Sequence, residues 1–174
     1  MGCSSSKQDA TGRDSLSLWF PTKQEVHYKY IVVEDEEEIC EDLVGMIVDC
    51  VPDVKKSDVY GFNNTDSLVQ NINEISASST PGHPNATRFI VFMDMRLRSS
   101  YGGETVTLLT PAAHQVTSPV ACIAATAFHE QRDCITYKEK GCVSVLCKPY
   151  NQKLVKSAID HVKRTPMFFK KFED

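Results

Sequence analysis

Short, mostly apolar segments recur along the chain, and each has the length and residue types of a buried strand. Strands are predicted at about 29–33, 58–62, 89–93, 120–125 and 143–147. Apolar positions at helical spacing lie between and after these segments, and they predict helices at about 36–50, 66–76, 103–114, 130–140 and 152–164. Strands that alternate with helices are typical of a parallel sheet that helices cover on both faces.

Capping residues and apolar stripes define the ends and inward faces of these helices. Thr65 and Asn151 are the predicted N-caps of the second and fifth helices, and Gly141 is predicted to end the fourth. The second helix is predicted to bury Leu68, Val69, Ile72 and Ile75, and the fifth to bury Leu154, Val155, Ala158, Ile159 and Val162.

The alternating elements make five βα units. They predict a three-layer α/β fold with a doubly wound, five-stranded parallel sheet. Neither G-x-G-x-x-G nor a P-loop follows the first strand, so nucleotide binding by those motifs is unsupported. With five strands we predict the flavodoxin-like order 2-1-3-4-5, in which the first and third strands are neighbours.

Polar residues stand where four of the predicted strands end. They are Glu34 and Asp35 after the first strand, Asp94 after the third, Thr126 after the fourth and Lys148 after the fifth. In a parallel sheet these ends share one edge, and ligands bind in the crevice there. Three carboxylates, a hydroxyl and an ammonium at one crevice suit a divalent cation and a phosphoryl group.

The composition narrows the class of protein. A net charge of −4 argues against nucleic acid as a partner, and 41% apolar residues suffice for a core. The seven cysteines include no C-x-x-C pair, which favours a reducing cytosolic setting over a disulfide framework or a zinc site. No apolar stretch approaches the length of a membrane-spanning helix.

Four motifs in order resemble those of receiver domains from two-component response regulators, over about residues 28–164. The segments are Val32-Val33-Glu34-Asp35-Glu36, Phe92-Met93-Asp94-Met95-Arg96-Leu97 with Gly102-Gly103 downstream, Ala125-Thr126-Ala127, and Cys147-Lys148-Pro149-Tyr150. They resemble, respectively, the family's acidic pair, phospho-acceptor segment, hydroxyl motif and Lys-Pro-aromatic turn. One motif alone is weak evidence, whereas four in order are specific.

The resemblance implies that Asp94 accepts a phosphoryl group from phosphohistidine and becomes an acyl phosphate. It also implies a Mg²⁺ site made by the carboxylates of Glu34, Asp35 and Asp94 and the backbone carbonyl of Arg96, because oxygen ligands suit this hard cation. The implied upstream partner is a sensor histidine kinase or a histidine phosphotransfer protein. The implied downstream partner is a protein effector of unknown identity.

Two further side chains receive roles from the same resemblance. Lys148 is expected to pair with Asp94 and then with the phosphoryl oxygens, and Thr126 is expected to bond the phosphoryl group and move inward when it arrives. Family precedent makes the Lys148–Pro149 peptide bond a cis candidate. These roles imply a signalling receiver rather than an enzyme, limited to its own phosphorylation and slow autodephosphorylation.

The sequence departs from the family pattern at Val145, three residues before Lys148, where an aromatic residue is usual. Because valine has no ring to swing inward, output is expected to depend on Thr126 and the loop after the fourth strand. Two other functions stay open: a pseudo-receiver scaffold at a membrane, and a Mg²⁺-dependent phosphatase of haloacid dehalogenase type. The phosphatase motif needs a second Asp two residues after its nucleophile, where this chain has Arg96.

The chain begins Met1-Gly2-Cys3-Ser4-Ser5-Ser6, which fits the pattern for N-myristoylation of Gly2 with Cys3 as a palmitoylation site. Two acyl chains would anchor the protein to the cytoplasmic face of a membrane. A polar start that matches the short pattern by chance would leave it in the cytosol. The predicted organisation is a lipidation motif and flexible tether at 1–27, a receiver domain at 28–165 and a C-terminal tail at 166–174.

Overall fold

A computed structural model describes residues 26–77, 87–98, 119–128 and 130–165. The predicted lipidation motif with Gly2 and Cys3, the predicted helix at 103–114 and the C-terminal tail lie outside these residues. The strands are β1 His27–Val33, β2 Val59–Phe62, β3 Thr87–Asp94, β4 Val120–Thr126 and β5 Cys142–Cys147. The helices are α1 Glu37–Cys50, α2 Thr65–Ala77, α3 Gln131–Glu139 and α4 Gln152–Arg164.

The five strands form one parallel sheet in the order β2-β1-β3-β4-β5, which confirms the predicted topology. The register brings the strand ends level: Val33 is opposite Met93, Asp94 is opposite Ala125, and Thr126 is opposite Cys147. Each predicted polar residue therefore ends a strand or lies within two residues of a strand end, on the same edge of the sheet.

Successive strand residues point to opposite faces of the sheet, and each face carries its own core. On one face, Val32, Phe92 and Ile123 pack with residues of α1 and α4. On the other, Val33, Met93 and Ala124 pack with residues of α2 and with Tyr137 of α3. The fold therefore has three layers, and the two cores fix the strand ends that carry the polar residues.

Two of the predicted helix boundaries have the predicted caps, and one does not. The Asn151 side chain accepts a hydrogen bond from a backbone N–H three residues on, and Gly141 follows α3 with a φ of 100°. At α2 the prediction of Thr65 as the N-cap is wrong. The helix already includes Thr65, and Asn64 before it accepts a hydrogen bond of 2.8 Å from the Ser67 N–H.

Two residues predicted to be buried lie at the surface instead. Val69 is 41% exposed and Leu154 is 44% exposed. Each stands next to the first residue of a buried stripe, so it is turned by about 100° from that stripe around the helix. In the part of the chain that the structure describes, no helix has both the length and the apolar character needed to span a bilayer.

Candidate functional site

The Lys148 ammonium lies between two carboxylates at the edge of the sheet. Its Nζ is 3.0 Å from Oδ2 of Asp94, the last residue of β3, and 2.6 Å from Oε2 of Glu34, which follows β1. Lys148 itself follows β5, so its long side chain reaches past the end of β4. The structure therefore contains the contact between Lys148 and Asp94 that the resemblance implied, and it adds Glu34 as a second partner.

Glu34, Asp35 and Asp94 form a compact group of carboxylates. Each offers an oxygen atom, and these three atoms lie within 4.8 Å of one another. Backbone donors orient two of the groups: the Arg96 N–H donates to Asp94 Oδ1 at 2.9 Å, and the Arg98 N–H donates to Asp35 Oδ2 at 2.9 Å. The segment after β3 thus holds both aspartates, including the one that follows β1.

Glu34 is the most buried of the three carboxylates, with 1% of its surface exposed. Its Oε2 forms an ion pair of 2.6 Å with Lys148 Nζ, whereas Oε1 has no donor among the described residues. Burial, together with repulsion from Asp94, raises the pKa of Glu34 to about 7, although Lys148 opposes this shift. Burial alone would lower the pKa of Lys148, yet its contacts with the two carboxylates raise it overall.

These features fit a site for a hard divalent cation. The buried Oε1 of Glu34 lacks a donor among the described residues, and such an atom needs a partner because burying it unpaired is costly. Three clustered carboxylates repel one another, and a cation would relieve that repulsion. Oxygen donors at this density suit Mg²⁺. The Arg96 carbonyl stays a predicted ligand.

The structure brings the backbone of Thr126 to this group, whereas its hydroxyl has other partners. The Thr126 carbonyl accepts a hydrogen bond of 2.8 Å from the Lys148 N–H. Its Oγ1 accepts from the Phe128 N–H at 3.1 Å and lies 3.5 Å from the hydroxyl of Tyr137. The Thr126 side chain is fully buried. In this state the hydroxyl is bonded to the loop after β4 and to α3.

Two more features belong to the surroundings of the site. The peptide bond between Lys148 and Pro149, predicted as a cis candidate, is cis in the structure. The Arg96 guanidinium lies 3.6 Å from the centre of the Phe128 ring, a cation–π contact that joins the segment after β3 to the loop after β4.

Three side chains near the site were given no role from the sequence, although Tyr150 belongs to one of the motifs. The Arg98 guanidinium lies 3.4 Å from Asp35, and Tyr137 contacts Thr126. The Tyr150 hydroxyl is buried without a partner among the described residues, and burial raises the pKa of this group. Tyr137 carried a signal that could have found it, because it is the one aromatic residue of this nine-residue helix and a large aromatic side chain is usually buried.

No protein-family model matches the chain, and no curated protein matches it in sequence. Solved structures do match. The signal receiver domain of the DNA-binding response regulator MerR from Colwellia psychrerythraea 34H has a TM-score of 0.60 at 14% identity, over 79% of this chain and 98% of that chain. The BeF₃-activated DrrB receiver domain of Thermotoga maritima has a TM-score of 0.58 at 14% identity, over 80% and 99%.

A third similar structure is the isolated receiver domain of RcsB from Salmonella enterica serovar Typhimurium, solved in the presence of the phosphomimetic BeF₃⁻. It has a TM-score of 0.58 at 11% identity, and the match covers 85% of this chain and 93% of that chain. At such identities these likenesses show the fold, and they confirm the receiver-type fold that the motifs predict. What the site does must be argued from its own residues.

Proposed function

We propose that this chain is a phosphorelay receiver, in which Asp94 accepts a phosphoryl group and thereby changes the proteins that the domain binds. The observation that carries the proposal is the bond between the Lys148 ammonium and the Asp94 carboxylate, with two more carboxylates close by. An acid held by an ammonium at the carboxyl end of a central strand is well placed to receive a phosphoryl group.

The chemistry requires little covalent work from the protein. A carboxylate oxygen of Asp94 forms a bond to phosphorus while the P–N bond of a phosphohistidine breaks, and the imidazole leaves with the electron pair. Lys148 and the Arg96 N–H fix the orientation of the carboxylate before the reaction, which reduces the cost of reaching the transition state. The Lys148 ammonium then binds the phosphoryl oxygens in place of the carboxylate.

The carboxylates of Glu34, Asp35 and Asp94, with the Arg96 carbonyl, would hold Mg²⁺. When bound, this cation would neutralise negative charge between the carboxylates and the phosphoryl oxygens. The phosphohistidine would come from a sensor histidine kinase or a histidine phosphotransfer protein. Of the similar receiver domains, that of DrrB is BeF₃-activated and that of RcsB was solved in the presence of phosphomimetic BeF₃⁻, which supports a phosphoryl-accepting role for this fold.

Incubation of the full chain with Mg²⁺ and acetyl phosphate tests the proposal. Intact mass spectrometry should show a gain of one phosphoryl group, and Asp94→Asn or removal of Mg²⁺ with EDTA should abolish it. Asp53→Asn is the matched control, because Asp53 lies in the exposed turn after α1, and this variant should be modified like the wild type. A wild-type chain that gains no mass would favour the pseudo-receiver scaffold.

Acylation of Gly2 and Cys3, and with it attachment to the cytoplasmic face of a membrane, stays a prediction from the sequence. It is checked by mass spectrometry of the N-terminal peptide from natively expressed protein. An unmodified Gly2 would reject it without affecting the proposal for Asp94.

A further inference from the structure

The hydroxyl of Tyr137 lies against Thr126 on the face of the sheet that α2 and α3 cover. Its Oη lies 3.5 Å from Thr126 Oγ1 and donates a hydrogen bond of 3.1 Å to the backbone carbonyl of Phe128. Thr126 and Tyr137 are both buried, with 0% and 3% of their surfaces exposed. Val145, on β5, has no polar side-chain atom, so Tyr137 of α3 supplies the hydroxyl that contacts Thr126.

The hydrogen atoms of these two hydroxyls can be assigned from their partners. Burial raises the pKa of Tyr137, so the group keeps its proton, which it donates to the Phe128 carbonyl. Thr126 Oγ1 accepts from the Phe128 N–H, and its own proton is therefore free to be donated to the Tyr137 oxygen. Thr126 has a single proton, so it can donate to Tyr137 or to a phosphoryl oxygen at any one time.

The contact is also weak enough to be exchanged. Its length of 3.5 Å exceeds the usual 2.5–3.0 Å range for O–H···O hydrogen bonds. A hydrogen bond to a charged phosphoryl oxygen is shorter and roughly twice as strong as one between neutral groups. With a phosphoryl group on Asp94, the Thr126 hydroxyl would therefore donate its hydrogen bond to a phosphoryl oxygen instead of to Tyr137.

The position of α3 depends on Tyr137. All nine residues of α3 are described, and among them Tyr137 is the one buried residue. Glu130, at the N-cap of the helix, makes no capping hydrogen bond with its side chain. A helix that buries one side chain in the core should move when the contacts of that side chain change.

We propose that Tyr137 is a positioning residue that holds the Thr126 hydroxyl in the resting protein, and that phosphorylation of Asp94 breaks this contact and shifts α3. This inference rests on the proposed function, because it needs a phosphoryl group at Asp94. It assigns to a tyrosine of α3 the coupling that Val145 cannot provide from β5.

The test uses the full chain with Mg²⁺ and beryllofluoride as the phosphoryl mimic, followed by NMR of the α3 amides. In the wild type, these amides should shift on beryllofluoride binding. In Tyr137→Phe the mimic should still bind, about two- to fivefold more tightly because Thr126 no longer has a competing acceptor, while the α3 shifts should fall below half. Tyr30→Phe is the matched control, since it removes a buried hydroxyl without a described partner on the other face.

A double-mutant cycle guards against a purely structural effect. Thr126→Val should lose the α3 response, Thr126→Ser should keep it, and Tyr137→Phe should add nothing to Thr126→Val. If Tyr137→Phe binds the mimic and responds like Tyr30→Phe, the inference is overturned while the proposed function stands. If the wild type does not bind beryllofluoride, the proposed function fails and this inference fails with it.

Discussion

Glu34→Gln should stabilise the metal-free protein, and the gain should depend on pH. The side chain is fully buried beside Asp94, and its pKa of about 7 lies well above the ordinary value of 4.5. Between these two pH values the folded protein holds a proton that the unfolded chain has lost. This group therefore contributes stability below about pH 4.5 that is lost as the pH rises through about 7.

The size of the effect follows from the two pKa values. The difference between 4.5 and about 7 corresponds to about 3 kcal/mol, because one pKa unit is worth about 1.4 kcal/mol. Glutamine has nearly the same shape and does not ionise, so the variant escapes this cost. It should equal the wild type near pH 4.5 and exceed it by about 3 kcal/mol near pH 8, or roughly 6 to 12 °C in Tm for a chain of this size.

Urea unfolding in EDTA, followed by circular dichroism from about pH 4.5 to about pH 8, measures this difference. Glu74→Gln is the control, since Glu74 is an exposed glutamate of α2 and its loss should leave the pH profile unchanged. Parallel profiles for Glu34→Gln and the wild type would refute the reasoning, because they would mean that Glu34 ionises equally easily in the folded and unfolded states.

Three smaller predictions test local features by urea unfolding. Asn151→Ala should cost about 1 kcal/mol because the Leu154 N–H loses its acceptor, and Asn151→Asp should restore most of the loss. Gly45→Ala, in α1, should stabilise by about 0.5 to 1 kcal/mol, since nothing lies within 4 Å of the added methyl group. Gly61→Ala should lower the free energy of unfolding by about 1 kcal/mol, because the new methyl group would lie 3.0 Å from Cys40 Sγ. If adding Cys40→Ala does not restore the lost stability, this contact is not the cause.

For the elements that the structure describes, the strand and helix pattern predicted the bounds to within a few residues because each element buries a continuous stripe. The exceptions show what the pattern leaves out. β3 begins at Thr87, before its apolar run, because Thr87 and Arg88 pair with His27 and Tyr28 of β1. Pairing of this kind depends on the neighbouring strand, so the composition of one segment cannot reveal it.

The sequence predicted which strand-end residues come together, and it predicted their individual contacts less well. Strand order and motif position together placed Asp94 near Lys148, as the structure shows. The second partner of Lys148, Glu34, depends on side-chain reach across the sheet edge. Lys29 in β1 is a second example of a contact that the sequence does not reveal. A lysine in a strand is expected to be exposed to solvent. Lys29 is instead only 4% exposed, and its ammonium donates a hydrogen bond of 2.9 Å to the Ile75 carbonyl.

The burial of Glu34 beside Asp94 has two consequences: it destabilises the metal-free protein, and it supplies a carboxylate for the proposed cation. Above about pH 7 the Glu34 carboxylate is ionised, and this buried charge beside Asp94 destabilises the metal-free protein. The ionised carboxylate is the form that can bind a cation. Cation binding would therefore raise the free energy of unfolding of the wild type more than that of Glu34→Gln. Excess Mg²⁺ near pH 8 should therefore narrow the gap between the two proteins, and the more stable variant should be the one that phosphorylates more slowly. A gap that Mg²⁺ leaves unchanged would remove Glu34 from the cation site.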